Sequence, residues 1–471
     1  MTDKTYQAVV IGAGAAGLTA AGTLGSLGIK TALIERELVG GDCTWTGCMP
    51  SKALLKVSKM AHAVRESAKY GVMTSPPQVD FARVRAYVRD VVAEIYQHET
   101  PEVFGSQYGV DVILGDAKFV DAHTMMVGDE RISAKRFIIA TGARTKIPVI
   151  DGLADIPYLT NKTLWEMDTL PKHLMIIGAG AMGMEMAQAF VRLGCEVTVI
   201  DTEVLPREEP ETRLVMEGIF AVEGIKIARS QVRKAWYEDE KIHLKLSDGG
   251  VIMGDKVLLA TGRIPNTDLG LEKAGVRYTA DGVDVDDFLR TNIKHIYAVG
   301  DCTAGAKYTH YASFQGGIAG RNAVLPIKSK GHSDVIPHVT FTDPEVAQVG
   351  MTEAQARIRF GDKVKIFMYQ MALGDRAVCE DDTEGFIKLV YKGTGELLGA
   401  TVVCERAGEM ILEYTLAVQK KVSLSALNKV LHAYPTYHDM SRRAILSLTT
   451  HELFAGWLGK GLRRTLKYLI K

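Results

Sequence analysis

Residues 9–35, VVIGAGAAGLTAAGTLGSLGIKTALIE, run from an apolar, β-rich segment through three glycines into a small-residue helix, then into a strand ending in an acid. Residues 176–201, IIGAGAMGMEMAQAFVRLGCEVTVID, repeat that order. Gly12, Gly14 and Gly17 of the first copy correspond to Gly178, Gly180 and Gly183 of the second, and each acid, Glu35 or Asp201, lies 23 residues after its first glycine. Glycines at this spacing permit a tight turn and let backbone N–H groups approach a pyrophosphate at the helix N-terminus. The acid accepts hydrogen bonds from ribose hydroxyls. A lone fingerprint of this kind is weak, since glycines also mark ordinary turns. Two complete copies predict two Rossmann-type units and two bound dinucleotides.

The rest of the chain fits around these copies. Between them, Phe81, Val84, Val88, Val91 and Ile95 fall at helical spacing, read as core packing. The tripeptide ATG occurs after two apolar strands, at Ala140–Gly142 and Ala260–Gly262, and each reads as a crossover out of a Rossmann unit. IYAVGD brings Asp301 to the end of another buried strand. From about residue 336 alternating strands appear, followed by a helix rich in Ala, Leu and Glu. The expected organisation is a first part at 1–150, a second nucleotide unit at 151–272, a return segment at 273–335, a separate domain at 336–450 and a tail at 451–471.

The composition excludes several classes. Lys+Arg and Asp+Glu are 56 each in 471 residues, so no global charge points to nucleic acid. The N-terminus is not a secretory signal and no run of 18 apolar residues appears, so a reduced, cytoplasmic protein is expected. Of six cysteines, Cys43 and Cys48 stand close together in GGDCTWTGCMPSK, residues 40–52. A disulfide closing so small a loop removes little chain entropy, about 2 kcal/mol, and would not persist as a staple in a reducing cytosol. No second cysteine pair completes four zinc ligands, and no metal site is expected. A redox-active pair is the favoured reading. At the start of a helix, a thiolate gains from the positive end of the dipole. Cys195, Cys302, Cys379 and Cys404 are isolated and read as inert packing residues.

Together GAGAAG with Glu35, CTWTGCMPSK, the two ATG turns, GAGAMG, the GD at 300–301 and FTDPEVAQVGMTE resemble the class I flavoprotein pyridine nucleotide-disulfide oxidoreductases, which include dihydrolipoamide dehydrogenase, glutathione reductase and mercuric reductase. The resemblance runs to about residue 440. It implies an α/β fold of two Rossmann-type domains plus a C-terminal α+β dimerisation domain, with each active site completed by the partner subunit of a homodimer. It implies FAD held by Gly12, Gly14, Gly17, Glu35, Gly41, Lys52, Thr141, Gly142, Asp301 and Ala312, and NAD(H) held by Gly178, Gly180, Gly183, Asp201 and Gly262. It further implies that Cys48 lies nearer the flavin in a charge-transfer role, that Cys43 is the interchange thiol attacking substrate, and that Lys52 and Glu185 form a pair beside the flavin. Asp201 is followed by TEVLP, without an Arg, and a carboxylate there pairs with a free 2′-OH and repels a 2′-phosphate, so NADH is expected over NADPH.

Three departures bear on the substrate. Asp42 replaces a Thr of the family, and Trp45 and Thr46 replace its usual Asn-Val. The C-terminal motif reads HAYPTYHD, so Tyr434 holds the position of the family's acid/base His, and Asp439 that of its Glu. The chain then continues into a basic tail. This resembles a mercuric-reductase-like branch, yet the C-terminal cysteine pair of mercuric reductases is absent. The expected reaction is reduction of a disulfide, with a soft metal ion or quinone as the alternative acceptor and a redox-sensing interaction protein as a minor one. His432 and His438 flank Tyr434 and read as structural. In the tail, residues 454–471 space Phe454, Leu458, Leu462, Leu466 and Leu469 along one helical face beside five basic residues. Packing on the chain's own dimer is the first expectation for this helix, and peripheral contact with an anionic membrane is the alternative.

Overall fold

The structure is a computed structural model and describes residues 3–455 and residue 465. Beyond Ala455, the amphipathic tail expected at 454–471 therefore lies, except for Thr465, outside the described residues. The chain divides into two compact units, residues 1–203 with 224–333, and residues 204–223 with 334–471.

The first unit carries both Rossmann sheets. In one, the strands run in the order Val110–Leu114, Thr31–Glu35, Asp3–Ile11, Glu130–Ile139, Thr124–Val127 and Ala117–Asp121, and Ile296–Ala298 also pairs with Glu130–Ile139. The strands from Val110–Leu114 to Glu130–Ile139 are parallel, as is Ile296–Ala298. Parallel strands buried on both faces demand continuous apolar runs, and Ala8 to Ile11 and Ala32 to Ile34 supply them. The second sheet is a parallel one, ordered Lys226–Ala228, Glu196–Ile200, His173–Ile177, Lys256–Leu259 and Tyr158–Leu159. The two ATG turns lead into Ala143–Thr145 and Arg263–Pro265, which pair as a two-stranded antiparallel ladder at the crossover.

The glycine turns are the same device built twice. Gly12 has φ +99° and Gly178 φ +112°, values an L side chain rarely adopts. A Cβ at Gly12 would overlap the carbonyl oxygen of Ala140, and one at Gly178 that of Ala260. A Cβ at Gly17 or Gly183 would strike the carbonyl oxygen of the first glycine of its own turn. Each turn thus packs its helix, Ala15–Ser26 or Ala181–Leu193, directly against the strand and the ATG crossover. The helix expected around residue 81 spans Phe81–Tyr96. Its buried residues are Val84, Val88 and Val92, while Val91 and Ile95 are only half-buried. At 3.6 residues per turn, Val84, Val88 and Val92 step round by about 40° each, so the packed face is centred on Val88 and reaches Val92 rather than Val91.

In the second unit, five antiparallel strands are ordered His338–Thr340, Glu345–Gly350, Leu397–Cys404, Phe386–Lys392 and Val364–Gln370. The helices Ala407–Lys420 and Tyr437–Ala455 pack onto its core through Met410, Tyr414, Met440 and Ile445. Among the described residues no helix is long and apolar enough to cross a membrane. Cys195, Cys302 and Cys404 are buried, but Cys379 is exposed on the short helix Asp375–Glu380 and packs in no core, which corrects its reading as a packing residue.

Candidate active site

Cys43 lies in the short helix Gly41–Trp45, and Cys48 is the first residue of the helix Cys48–Glu66. Both are free thiols, and both are partly buried. The Cys43 and Cys48 thiols interact directly, and Thr309 Oγ1 lies 3.3 Å from Cys48 Sγ. Cys48 is pulled down to about 6, first by the Cys43 thiol, then by the Thr309 hydroxyl and the Lys52 ammonium, against the opposing effect of burial. The same contact pushes the Cys43 thiol up, and burial adds to it. Of the two sulfurs Cys48 is therefore the more readily ionised.

Lys52 sits one helical turn beyond Cys48, so both share a face. Its Nζ is 2.8 Å from Glu185 Oε2 on the helix Ala181–Leu193 of the second Rossmann repeat. Glu185 is 6% exposed. A carboxylate is held so deep only with a paired cation. The expected Lys52–Glu185 pair is thus present, and it joins the cysteine helix to the second nucleotide repeat.

A cavity of about 840 Å³ runs beside the cysteines in the first unit. Its wall includes Gly12, Gly14, Glu35 and Gly41 of the first glycine turn and its surroundings, and Thr141, Gly142, Asp301, Ala312, Cys43 and Cys48. Gly14 and Gly41 approach so closely that a Cβ on Gly41 would lie against the Gly14 backbone, leaving bare backbone facing the cavity. Glu35 Oε2 accepts from Ala13 N–H at 2.7 Å, which fixes its carboxylate beside the glycine turn. Asp301 is largely buried, and burial pushes its carboxyl up although Arg263 and Lys307 counteract. A cleft whose wall combines an acid beside a glycine cradle with a dithiol suits FAD. Gly17 and Lys52 do not line it; Gly17 acts through packing and Lys52 through Cys48 and Glu185.

The second repeat mirrors the first. Asp201 Oδ2 accepts from Ala179 N–H at 2.8 Å, as Glu35 does from Ala13, and its Oδ1 accepts from Thr202 N–H. Gly180 has open space where a Cβ would be, and Gly262, at φ +101°, follows the strand Lys256–Leu259.

These features coincide with what the chain is similar to. Residues 6–316 match the pyridine nucleotide-disulphide oxidoreductase family, and residues 336–445 match its dimerisation domain. The chain belongs to this family. It is therefore an FAD-dependent oxidoreductase that uses NAD(P)H. It is 36% identical over 451 residues to a mercuric reductase of Bacillus cereus, covering 94% of this chain and 71% of that one. It is 34% identical over 450 residues to a dihydrolipoyl dehydrogenase of Thermus scotoductus, covering 93% and 96%. Among solved structures, a Cu(II) complex of the HOCl-induced flavoprotein disulfide reductase RclA from Escherichia coli matches with a TM-score of 0.85 and 28% identity, covering 94% of this chain and all of that one. LpdA from Mycobacterium tuberculosis matches with a TM-score of 0.84 and 27% identity, over 94% and 99%.

The C-terminal motif is built unlike a His–Glu dyad. Tyr434, 65% exposed, donates its hydroxyl to Asp375 Oδ2 at 3.1 Å, and that carboxylate raises its pKa. Asp439 is buried and turned away, accepting from Arg443 Nε at 2.7 Å and from Arg442 Nη2 at 3.0 Å. Tyr434 and Asp439 therefore make no direct pair; Arg443 links them by reaching both Asp439 and Asp375. His432 has both ring nitrogens engaged, Nε2 with Glu413 at 2.9 Å and Nδ1 with Val430 O at 3.0 Å. His438 Nδ1 lies 3.9 Å from the same Glu413. Sequence reasoning missed Thr309 and Asp375, which lie 261 and 59 residues from the partners they touch and carry no motif.

Proposed function

We propose that this enzyme passes two electrons from NADH to a Cys43–Cys48 disulfide, and that the dithiol so formed reduces disulfides whose leaving thiols need no proton donor. The observation that carries this reading is the pairing of a readily ionised Cys48 with a C-terminal motif whose Tyr434 is tied to Asp375 and transfers a proton poorly at neutral pH. Flavin, when bound against Glu35, the glycine cradle, Asp301 and Ala312, supplies the two-electron relay between nicotinamide and the disulfide.

The residues of the chain account for the thiol half. Cys43 gives its proton to Cys48 within their hydrogen bond and becomes the nucleophile. It attacks one sulfur of the substrate, forming a mixed disulfide and expelling the first thiolate. Cys48 gives that proton up to the released thiolate and then attacks Cys43, closing the protein disulfide and expelling the second. The single proton of the pair leaves on one product thiol and the other departs as a thiolate. Thr309 and Lys52 stabilise the charge on Cys48 before Cys43 transfers its proton and again when Cys48 attacks. An ordinary thiol with a pKa near 8.5 leaves slowly without an acid. Disulfides of acidic thiols leave readily, so weak turnover of lipoamide and glutathione disulfide is part of the proposal.

A soft metal ion is the second reading. Two adjacent sulfurs, one of them readily ionised, suit such an ion, and the mercuric reductases among the relatives and the Cu(II) complex of RclA support it. The matched dimerisation domain supports a homodimer, in which the Tyr434 segment would complete the partner's site. Asp201 supports NADH, because its carboxylate stands at the nucleotide turn and repels a 2′-phosphate. A tenfold kcat/KM preference for NADPH would overturn that choice. The acceptor is tested anaerobically: the enzyme is reduced with NADH, then a nitrobenzoate disulfide, lipoamide, glutathione disulfide, Hg(II) and Cu(II) are added singly. Fast reoxidation by the nitrobenzoate disulfide and slow reoxidation by lipoamide are expected. Reoxidation by the metal ions alone would transfer the function to the second reading.

A further inference from the structure

Asp42 and Thr46, the two departures within the cysteine loop, belong to one polar ring. Asp42 Oδ2 pairs with the Arg263 guanidinium, and Asp42 Oδ1 accepts from the Thr46 hydroxyl at 3.2 Å. Thr46 Oγ1 in turn accepts from Asn161 Nδ2 at 3.3 Å, and Asn161 Oδ1 accepts from the Thr145 hydroxyl at 2.5 Å. Thr145 and Arg263 are cross-strand partners in the two-stranded crossover ladder, which closes the ring. Asn161 is 5% exposed, so its amide depends on these partners. A second anchor comes from the same segment, where Trp165 Nε1 donates to Thr46 O at 3.1 Å. Trp45, by contrast, is held within the first nucleotide half, through Val39 O and the Tyr96 ring.

The ring therefore grips the loop just before Cys43 and just before Cys48. It fastens both points to the crossover ladder and to the segment entering the second nucleotide repeat. We propose that Asp42, Thr46, Asn161 and Arg263 are positioning residues that set the dithiol–disulfide equilibrium of the Cys43–Cys48 pair. The ring is closed while both cysteines are free thiols; in this proposal, drawing the two sulfurs into a disulfide strains it, so that its bonds favour the dithiol. Opening it shifts the pair toward the disulfide. This rests on the reading of Cys43–Cys48 as a redox couple.

The test equilibrates the FAD-loaded enzyme with dithiothreitol and its cyclic disulfide, in which one dithiothreitol is oxidised for each protein disulfide reduced, and counts free Cys43 and Cys48 by mass after alkylation. Thr46→Val removes the hydroxyl without changing any charge. It is expected to move the equilibrium constant about three- to tenfold toward the disulfide, the worth of one or two hydrogen bonds, a tenfold change being about 30 mV in this two-electron couple. Thr46→Ser restores the wild-type constant. In an Asp42→Ala background, where the ring is already open, Thr46→Val changes it less than twofold. Asn161→Ala, which opens the ring from the far side, moves the constant the same way. The proposal is overturned if Thr46→Val and Asn161→Ala keep their FAD and show the wild-type constant, or if Thr46→Val shifts it equally in both backgrounds. A pair that never titrates in the wild-type enzyme would instead remove the redox reading itself, which is a distinguishable result.

Discussion

Replacing Cys43 by alanine isolates the interaction that holds the charge on Cys48. The Cys43 thiol is the first cause of the low Cys48 pKa, ahead of Thr309 and Lys52. A hydrogen bond to a charged group contributes roughly 1.5–3 kcal/mol. At 1.36 kcal/mol per pK unit, its loss raises Cys48 by about one to two units, from about 6 to roughly 7–8. At pH 7 the thiolate fraction then falls from about nine-tenths to between a half and a tenth. The sign is set by the lost donor, because the thiolate form alone is stabilised by it. Cys43→Ser keeps a donor hydroxyl and is expected to stay near the wild-type value. The assay is the rate of iodoacetamide alkylation of the Cys48 peptide between pH 5 and 9 under anaerobic conditions, read by mass so that exposed Cys379 does not contribute. A wild-type midpoint near 8.5, or an unchanged midpoint in Cys43→Ala, would refute the thiol–thiolate pairing.

Two further substitutions probe other links. Tyr434→His puts an imidazole beside Asp375, which already lies 3.1 Å from the residue 434 hydroxyl. Since a positioned acid contributes about 10²–10⁴ in rate, lipoamide turnover is expected to rise at least roughly tenfold. Wild-type turnover of hundreds per second, or no gain in the variant, would count against the missing-acid argument. Gly17→Ala drives a methyl group into the Gly12 carbonyl, an overpacking that costs at least about 1–3 kcal/mol. FAD content and Tm should both drop, and retention of both would show that the first turn is looser than described.

How far the sequence could be read follows from how each feature is enforced. The two nucleotide turns were legible because backbone crowding at Gly12 and Gly178 excludes side chains, which writes the turn directly into residue type. The position of each acid follows from strand length, and Glu35 and Asp201 duly return their carboxylates to the same point of their turns. The Lys52–Glu185 pair was legible only through the resemblance, since 133 residues separate its members. What sequence could not supply are side-chain meetings between distant elements. Asp42 and Thr46 stood out as departures, but nothing local pairs them with Arg263 and Asn161. Tyr434 and Asp439 could be aligned to a dyad, yet two neighbouring arginines and Asp375 redirect both groups. Helical spacing predicted the Phe81–Tyr96 helix but centred its face slightly off, because Val92 rather than Val91 points to the core.

The central claim is that electrons from reduced nicotinamide reach Cys43 and Cys48 and leave from them. The most direct measurement labels free thiols in oxidised enzyme before and after anaerobic addition of NADH, with the labelled cysteines identified by mass. The account predicts that NADH makes two new thiols available, at Cys43 and Cys48, and that a nitrobenzoate disulfide in excess of the remaining NADH removes both again. Equal labelling of the two cysteines with and without NADH, in protein that holds its FAD, would contradict it.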